Sequence, residues 1–153
     1  MKPITVLTYG TFDLFHVGHV NLLKRLRELG SRLIVGCSTD EFNNVKGKRT
    51  VLPYEHRANV LKSCRYVDEV FPEENWDQKG RDIIVHRVDI FGMGDDWSGK
   101  FDELSGIVNV IYLPRTRDIS TTDIRQFVHS MHEEHLLELK YALDKINNIV
   151  ARL

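Results

Sequence analysis

Two histidines, His16 and His19, stand either side of Gly18 in the stretch YGTFDLFHVGH, residues 9–19. Positions i and i+3 share one face of a helix. With a helix opening at Val17 or Gly18, both titratable rings gather at its start. That end carries free backbone N–H groups and the positive end of the helix dipole, which favour an anion. Gly18, without a side chain, lets a bulky phosphate approach the backbone. The chemistry suggested by these residue types at this spacing is phosphate binding.

A second segment points the same way. In LPRTRDISTTDIRQF (113–127), Ser120 stands at an N-cap position with Asp123 three residues on, a variant of the capping box. A well-capped helix accounts for that pair unaided. It does not account for Arg115 and Arg117 just upstream, or for the added hydroxyls of Thr121 and Thr122. Two helix starts, one bearing histidines and one bearing hydroxyls and arginine, would grip opposite ends of one triphosphate.

Positive charge also gathers at Lys46, Lys48 and Arg49 within NNVKGKRTVLP (43–53), expected as a mobile polar loop. Beside a phosphate site, such a loop is a candidate lid. Asp95 and Asp96 in FGMGDDWSGKF (91–101) suit a polar turn, a set of hydrogen-bond acceptors or a metal. Trp97 offers either a stacking face for a base or a core anchor. Arg57 and Arg65, eight residues apart, would share a helix face, as an exposed charged surface or a second phosphate clamp.

The scaffold that must position these groups is legible as alternating elements. Ile4–Tyr9, Arg32–Cys37, Val67–Phe71, Asp89–Met93 and Val108–Leu113 are rich in β-branched and aromatic residues, which predicts strands. Helices are predicted over Gly18–Leu29, Tyr54–Arg65 and about Asp77–Arg87, with another from near Ser120. Leu22, Leu23, Leu26 and Leu29 give the first helix its apolar stripe, and Gly30 its stop. Such alternation implies an α/β fold, a parallel five-stranded sheet with helices on both faces. Ligands in such sheets bind beyond the strands' carboxyl ends, at a topological switch point. YGTFDLFHVGH follows the first strand.

Composition sets the outer limits. A chain of 153 residues, 42% hydrophobic and 28% charged, has enough apolar material for one substantial core. A formal net charge of −1 offers no extended basic footprint for nucleic acid. Cys37 and Cys64 lack metal-like spacing, so reduced thiols in a cytoplasmic protein are expected. No N-terminal leader and no apolar run of membrane-spanning length is seen, so no membrane insertion is expected.

His16-Val17-Gly18-His19 resembles the HxGH signature of the nucleotidyltransferase superfamily, with its Rossmann-like sheet. RTRDISTTDI resembles the RTxGISTT motif of the cytidylyltransferases. Together with STDEFN, YEHR, RYVDEV, MGDDW and LPRT, these segments are most similar to the cytidylyltransferases that act on glycerol 3-phosphate. The similarity covers residues 4–128. It implies that CTP and sn-glycerol 3-phosphate give CDP-glycerol and pyrophosphate by direct in-line displacement, with catalysis by positioning and charge stabilisation. The product would feed a surface polymer such as a teichoic acid or capsule.

The resemblance also implies roles. His16 and His19 would donate hydrogen bonds to phosphate oxygens, with Lys46 and Arg115 as further catalytic groups. Gly10, Thr11, Phe12, Asp13, Gly18, Lys48, Asp96, Thr116, Ser120 and Thr121 would bind or orient the nucleotide. Asp40, Arg57, Arg65, Asp68, Trp76 and Lys79 fall where the family builds its acceptor pocket. Mg²⁺ would travel mainly on the CTP phosphates, with no protein metal ligand named. The rival readings keep the chemistry on glycerol 2-phosphate, another polyol phosphate, phosphoethanolamine or phosphocholine, or make the chain a non-catalytic nucleotide-binding module.

Two features depart from the family pattern. Arg117-Asp118 replaces an acidic residue and glycine; if that position needs a positive φ, Asp tolerates it better than most. Beyond a catalytic domain of residues 1–128 comes an extension, 129–153. There Leu136, Leu139, Leu143, Ile146, Val150 and Leu153 recur at steps of three and four, a short heptad seam. Family members are generally dimers, so a homodimer helped by this helix is expected. His129, His132 and His135 form an i, i+3, i+6 row, expected as exposed helix residues.

Overall fold

The computed structural model describes residues 2–152. Five strands form one sheet: β1 (Thr5–Gly10), β2 (Arg32–Ser38), β3 (Glu69–Glu73), β4 (Ile90–Gly94) and β5 (Asn109–Leu113). Their order is β3-β2-β1-β4-β5, and every pairing is parallel. The chain builds outward from β1 to β3, then crosses back to place β4 on the other side of β1. The switch point therefore lies at the carboxyl end of β1, where the paired histidines begin.

Alternation along β1 sends side chains to two cores. Leu7 and Tyr9 pack with Ile34, Ile83, Phe91, Met93 and Phe101. Val6 points to the opposite face and packs with Leu23, Leu26, Leu33, Val35 and Leu61. Leu23 and Leu26 come from α1 (Val17–Glu28), and Leu61 from α3 (Tyr54–Ser63). Ile83 comes from α4 (Gln78–Val85). The expected α/β sheet with both faces covered is thus the observed architecture.

Three local differences have physical reasons. The third strand runs two residues later than its apolar run, through Pro72. It is an edge strand, where a missing N–H is tolerated. A short helix, α2 (Asp40–Val45), occupies the start of the expected polar loop, because Thr39 caps it by accepting from the Phe42 amide at 3.1 Å. The Arg57 helix ends at Ser63, so Arg65 lies outside it.

Two compact units divide between residues 118 and 119. The second is dominated by α5 (Thr121–Val150), and the boundary expected at 128/129 falls within that single helix. Ser120 caps α5 as its spacing predicts, accepting from the Asp123 amide at 3.1 Å while its hydroxyl donates to the Asp123 carboxylate at 2.6 Å. Leu136, Leu139, Leu143, Ile146 and Val150 are exposed along it; Leu153 lies outside the described residues. His129 sits 3.3 Å from Glu133. Among the described residues, no helix is long and apolar enough to cross a membrane.

Candidate active site

The helix start is built from the histidines themselves. His16 is the N-cap of α1, and its Nδ1 accepts from the Gly18 amide at 3.0 Å. His19 Nδ1 accepts in return from the His16 amide at 3.2 Å. The rings stack at 3.9 Å between centroids and 27° between planes. An accepting Nδ1 leaves the ring proton on Nε2. The pair therefore offers two adjacent Nε2–H donors, while the Gly18 amide, expected to be free for an anion, is used by the cap. Burial, and then the neighbouring His16, push the His19 pKa down to about 4 against the pull of Asp13. His19 is thus a neutral donor at physiological pH.

The loop before α1 is tightly folded. Phe12 and Leu14 adopt φ of 52° and 48°, a region that non-glycine residues seldom enter. The Phe12 ring lies so close over Gly10 that a Cβ there would sit 2.7 Å from it. Phe12 and Phe15 flank His19 at 5.3 and 5.4 Å. Asp13 is buried and accepts from the Val51 and Leu52 amides at 2.7 and 2.9 Å, joining this loop to the one that follows α2.

Arg57 holds the same junction from below. Its side chain is 0% exposed. It donates to the carbonyls of Thr11 at 2.7 Å, Ser38 at 2.8 Å and Leu52 at 2.9 Å, and to Asp40 at 2.7 Å. Asp40 also accepts from the Tyr54 amide at 2.9 Å. Burial raises the Asp40 pKa, but that amide and the guanidinium outweigh it and hold the carboxyl below its usual range. Arg57 and Asp40, expected around the acceptor, are engaged with the protein itself. Arg65 and Asp68 lie apart from the site. Arg65 is exposed beside Tyr66, while Asp68 accepts from the Leu33 amide at 2.7 Å and pairs with Arg27 at 3.4 Å. These contacts lie at the amino ends of β2 and β3, opposite the histidines, because α3 has already ended.

The other expected cations converge at the carboxyl ends of β2 and β3. Buried Glu73 lies 2.6 Å from Lys79 Nζ and 3.6 Å from Lys46 Nζ, and accepts from the Ser38 hydroxyl. Lys46 also donates to Ser38 Oγ at 2.8 Å, so the lysine expected on a mobile loop is tethered. Burial lowers its pKa, with Glu73 opposing and Lys48 and Lys79 adding to the fall. Lys48 is exposed, 5.5 Å from the Trp97 ring centroid. A cleft of about 650 Å³ opens alongside, lined by Trp76, Lys79, Trp97, Lys100 and Phe101 among others.

Under Lys79 lies Tyr9, whose hydroxyl donates to Asp82 at 2.8 Å. Burial and that carboxylate raise its pKa well above a free phenol's. The ring lies flat across β2 at Gly36, its partner in register, where a Cβ would come within 2.2 Å of it. Asp96 folds back over Gly94 at the end of β4, where a Cβ would meet its carboxylate at 2.7 Å.

Beyond β5, Thr116 accepts from Asn21 of α1 at 3.2 Å, and Arg25 donates to the Pro114 carbonyl at 2.7 Å. Arg115 is exposed between these anchors. Ser120 and Thr121 belong to the second unit, at the start of α5. Sequence reading missed Asn21, Arg25, Asn43 and Glu73. The signal for Asn21 was its place one turn beyond Gly18. Asn43, 1% exposed, accepts from the Thr11 hydroxyl at 2.9 Å, which only the folded chain reveals.

A family model described as cytidylyltransferase-like matches residues 7–127. The glycerol-3-phosphate cytidylyltransferase of Bacillus subtilis (strain 168) is 58% identical over 121 residues, covering 79% of this chain and 94% of that protein. The glycerol-3-phosphate cytidylyltransferase of Staphylococcus aureus (strain NCTC 8325 / PS 47) is 54% identical over 121 residues, 79% and 92% of the two chains. Among solved structures, the lipopolysaccharide core biosynthesis protein from Thermoplasma volcanium GSS1 matches with a TM-score of 0.65 at 23% identity. That match covers 75% of this chain and 99% of the other, and bears on the fold alone.

Proposed function

The chain belongs to the cytidylyltransferase-like family, and from that premise we propose that it transfers CMP from CTP to sn-glycerol 3-phosphate. The products are CDP-glycerol and pyrophosphate. The observation that carries the acceptor is identity of 58% across 94% of a relative bearing that activity. The stacked histidine pair at the switch point, with His19 held neutral, is assigned the chemistry.

An oxygen of the acceptor phosphate attacks the α-phosphorus of CTP in line, and the bond to the bridging oxygen of pyrophosphate breaks. No protein nucleophile intervenes. His16 and His19 donate from Nε2 to phosphate oxygens as negative charge gathers, which is the form preorganised electrostatic catalysis takes. A neutral donor such as His19 suits this step because it neither loses nor needs a proton during displacement. Lys46 and Arg115 complement the charge of the triphosphate, with Lys48 and Thr116 assigned to its binding. Gly10, Thr11 and Gly18 belong to the loop and helix start assigned to face the nucleotide, and Asp96 is assigned to orient it.

Mg²⁺ belongs to this reading as cargo of the nucleotide. Asp13, in the loop before the histidines, is bonded to two amides, and both Nδ1 atoms accept hydrogen bonds. N–H donors of this kind suit phosphate oxygens, whereas a bare cation takes oxygen ligands. When bound, the ion would neutralise charge on the leaving pyrophosphate. A CTP-dependent reaction suits the cytoplasm, and its CDP-glycerol would serve as precursor for a glycerol-phosphate surface polymer. The exposed apolar seam of α5 is assigned to a homodimer.

Pyrophosphate release tests the whole reading, with CTP, ATP, UTP and GTP against glycerol 3-phosphate, glycerol 2-phosphate, phosphocholine and phosphoethanolamine. Release with CTP and glycerol 3-phosphate, abolished by EDTA, is expected from a preparation of dimer mass in sedimentation equilibrium. CTP-dependent release with a different acceptor would overturn the substrate assignment, and a monomer the role given to α5.

A further inference from the structure

Lys79 has surroundings that a lysine seldom occupies. A strongly hydrated ammonium on a flexible stem normally reaches water. Here the residue is 4% exposed. Its Nζ lies 2.6 Å from Glu73 Oε1, and rings stand on the remaining sides: Tyr9 at 4.5 Å, Trp76 at 4.9 Å, Phe101 at 5.7 Å and Phe42 at 6.0 Å to their centroids. Aromatic faces closing on a cation, with a carboxylate on one side, form the arrangement that recognises quaternary ammonium groups.

We propose that Lys79 is the acceptor-selecting residue. Its ammonium is the resident ligand of a cation box made by Glu73, Tyr9, Phe42, Trp76 and Phe101, and it denies that box to any acceptor bringing a cation of its own. The inference rests on the transfer to glycerol 3-phosphate proposed above, and names what its acceptor pocket rejects.

The box is rigid where it must be. Tyr9 is fixed by Asp82, which also accepts from Gln78 at 2.7 Å, and Trp76 meets Phe42 edge-on at 5.3 Å. It opens where Trp76, 45% exposed, borders the cleft. Lys46 and Lys79 share the Glu73 carboxylate, so the box holds its own ammonium and leaves no vacancy for another. A phosphorylated polyol brings none. Phosphocholine and phosphoethanolamine would set a second cation against Lys79. Removing the lysine side chain would turn the same walls into a vacant cation site.

The test compares the parent protein with Lys79→Ala. The chain's two tryptophans, Trp76 and Trp97, lie 6.1 Å apart beside the box, so their fluorescence reports on its occupancy. Choline is expected to give a saturable response with Lys79→Ala and none with the parent. In pyrophosphate release with CTP, the kcat/KM ratio for phosphocholine over glycerol 3-phosphate is expected to rise about 100-fold, as a like-charge contact is removed and a cation–π site gained. A folded Lys79→Ala with no saturable choline response overturns the proposal. So does choline binding with an unchanged ratio, since the box would then lie off the acceptor's path. If the parent uses neither acceptor, the activity assignment fails while the choline titration still decides the box. Should the stranded carboxylate prevent folding, Lys79→Ala/Glu73→Gln removes it, and its four rings must still respond to choline; no response there overturns the proposal equally.

Discussion

Replacing Arg57 by lysine keeps the charge and removes the fork. Three backbone carbonyls and Asp40 now share one guanidinium, all within 2.9 Å. Hydrogen bonds to a charged group contribute about 1.5–3 kcal/mol each. An ammonium at the end of a lysine stem reaches one or two of these acceptors, leaving the others buried without a partner. The Asp40 side chain is 40% exposed, so its share of the loss is screened and the carbonyls carry most of it. We therefore expect Arg57→Lys to lose about 3–5 kcal/mol. With about 3 °C of melting temperature per kcal/mol for a chain of this size, the midpoint should fall by roughly 10–15 °C. Thermal unfolding followed by circular dichroism, with urea titration at 25 °C, measures both. Because Thr11 and Leu52 belong to the loops around the histidines, KM for CTP should rise in the variant at temperatures where it stays folded. A midpoint within 3 °C of the parent's would refute the reasoning, since water would then replace the fork without loss.

Two further outcomes follow from the site. His19, with a folded pKa of about 4 against about 6.5 when unfolded, binds its proton more weakly in the native state. Stability should therefore fall as pH drops from about 6.5 to about 4, by up to about 3 kcal/mol. Urea midpoints across that window should fall less in His19→Ala, whose turnover should drop about 10²–10³-fold; an equal pH dependence would remove His19 as the cause. Asp118 sits at φ 64°, the left-handed conformation its replacement of glycine raised. Asp118→Gly should stabilise by about 0.5–1 kcal/mol, seen as a melting point a few degrees higher, and a lower one would contradict it.

Much of this was legible in the sequence. Strands, helices and sheet type followed from apolar runs of strand length alternating with a 3.6-residue stripe. The meeting of His16 and His19 followed from i, i+3 spacing, and the α5 cap from Ser120 and Asp123. Long-range partners were not legible. Arg57 and Arg65 looked equivalent on a helical wheel, yet one is fully buried and the other lies beyond the helix end. Lys46 looked like part of a mobile loop because Glu73, its partner, lies 27 positions away on β3. Sequence separation likewise hid most of the box around Lys79. Its rings come from β1, α2 and two separate loops, and no local pattern brings Tyr9, Phe42, Trp76 and Phe101 to one point.

Gly36 makes none of the contacts assigned to substrate, yet Tyr9 can lie beneath Lys79 only because β2 carries no side chain there. One methyl group on the neighbouring strand would tilt the phenol, loosen its hold on Asp82 and unseat the ammonium above. Discrimination among acceptors is therefore inherited partly through a backbone position that a survey of pocket-lining residues would pass over. A lineage could drift in what it accepts without altering a single residue that touches the acceptor.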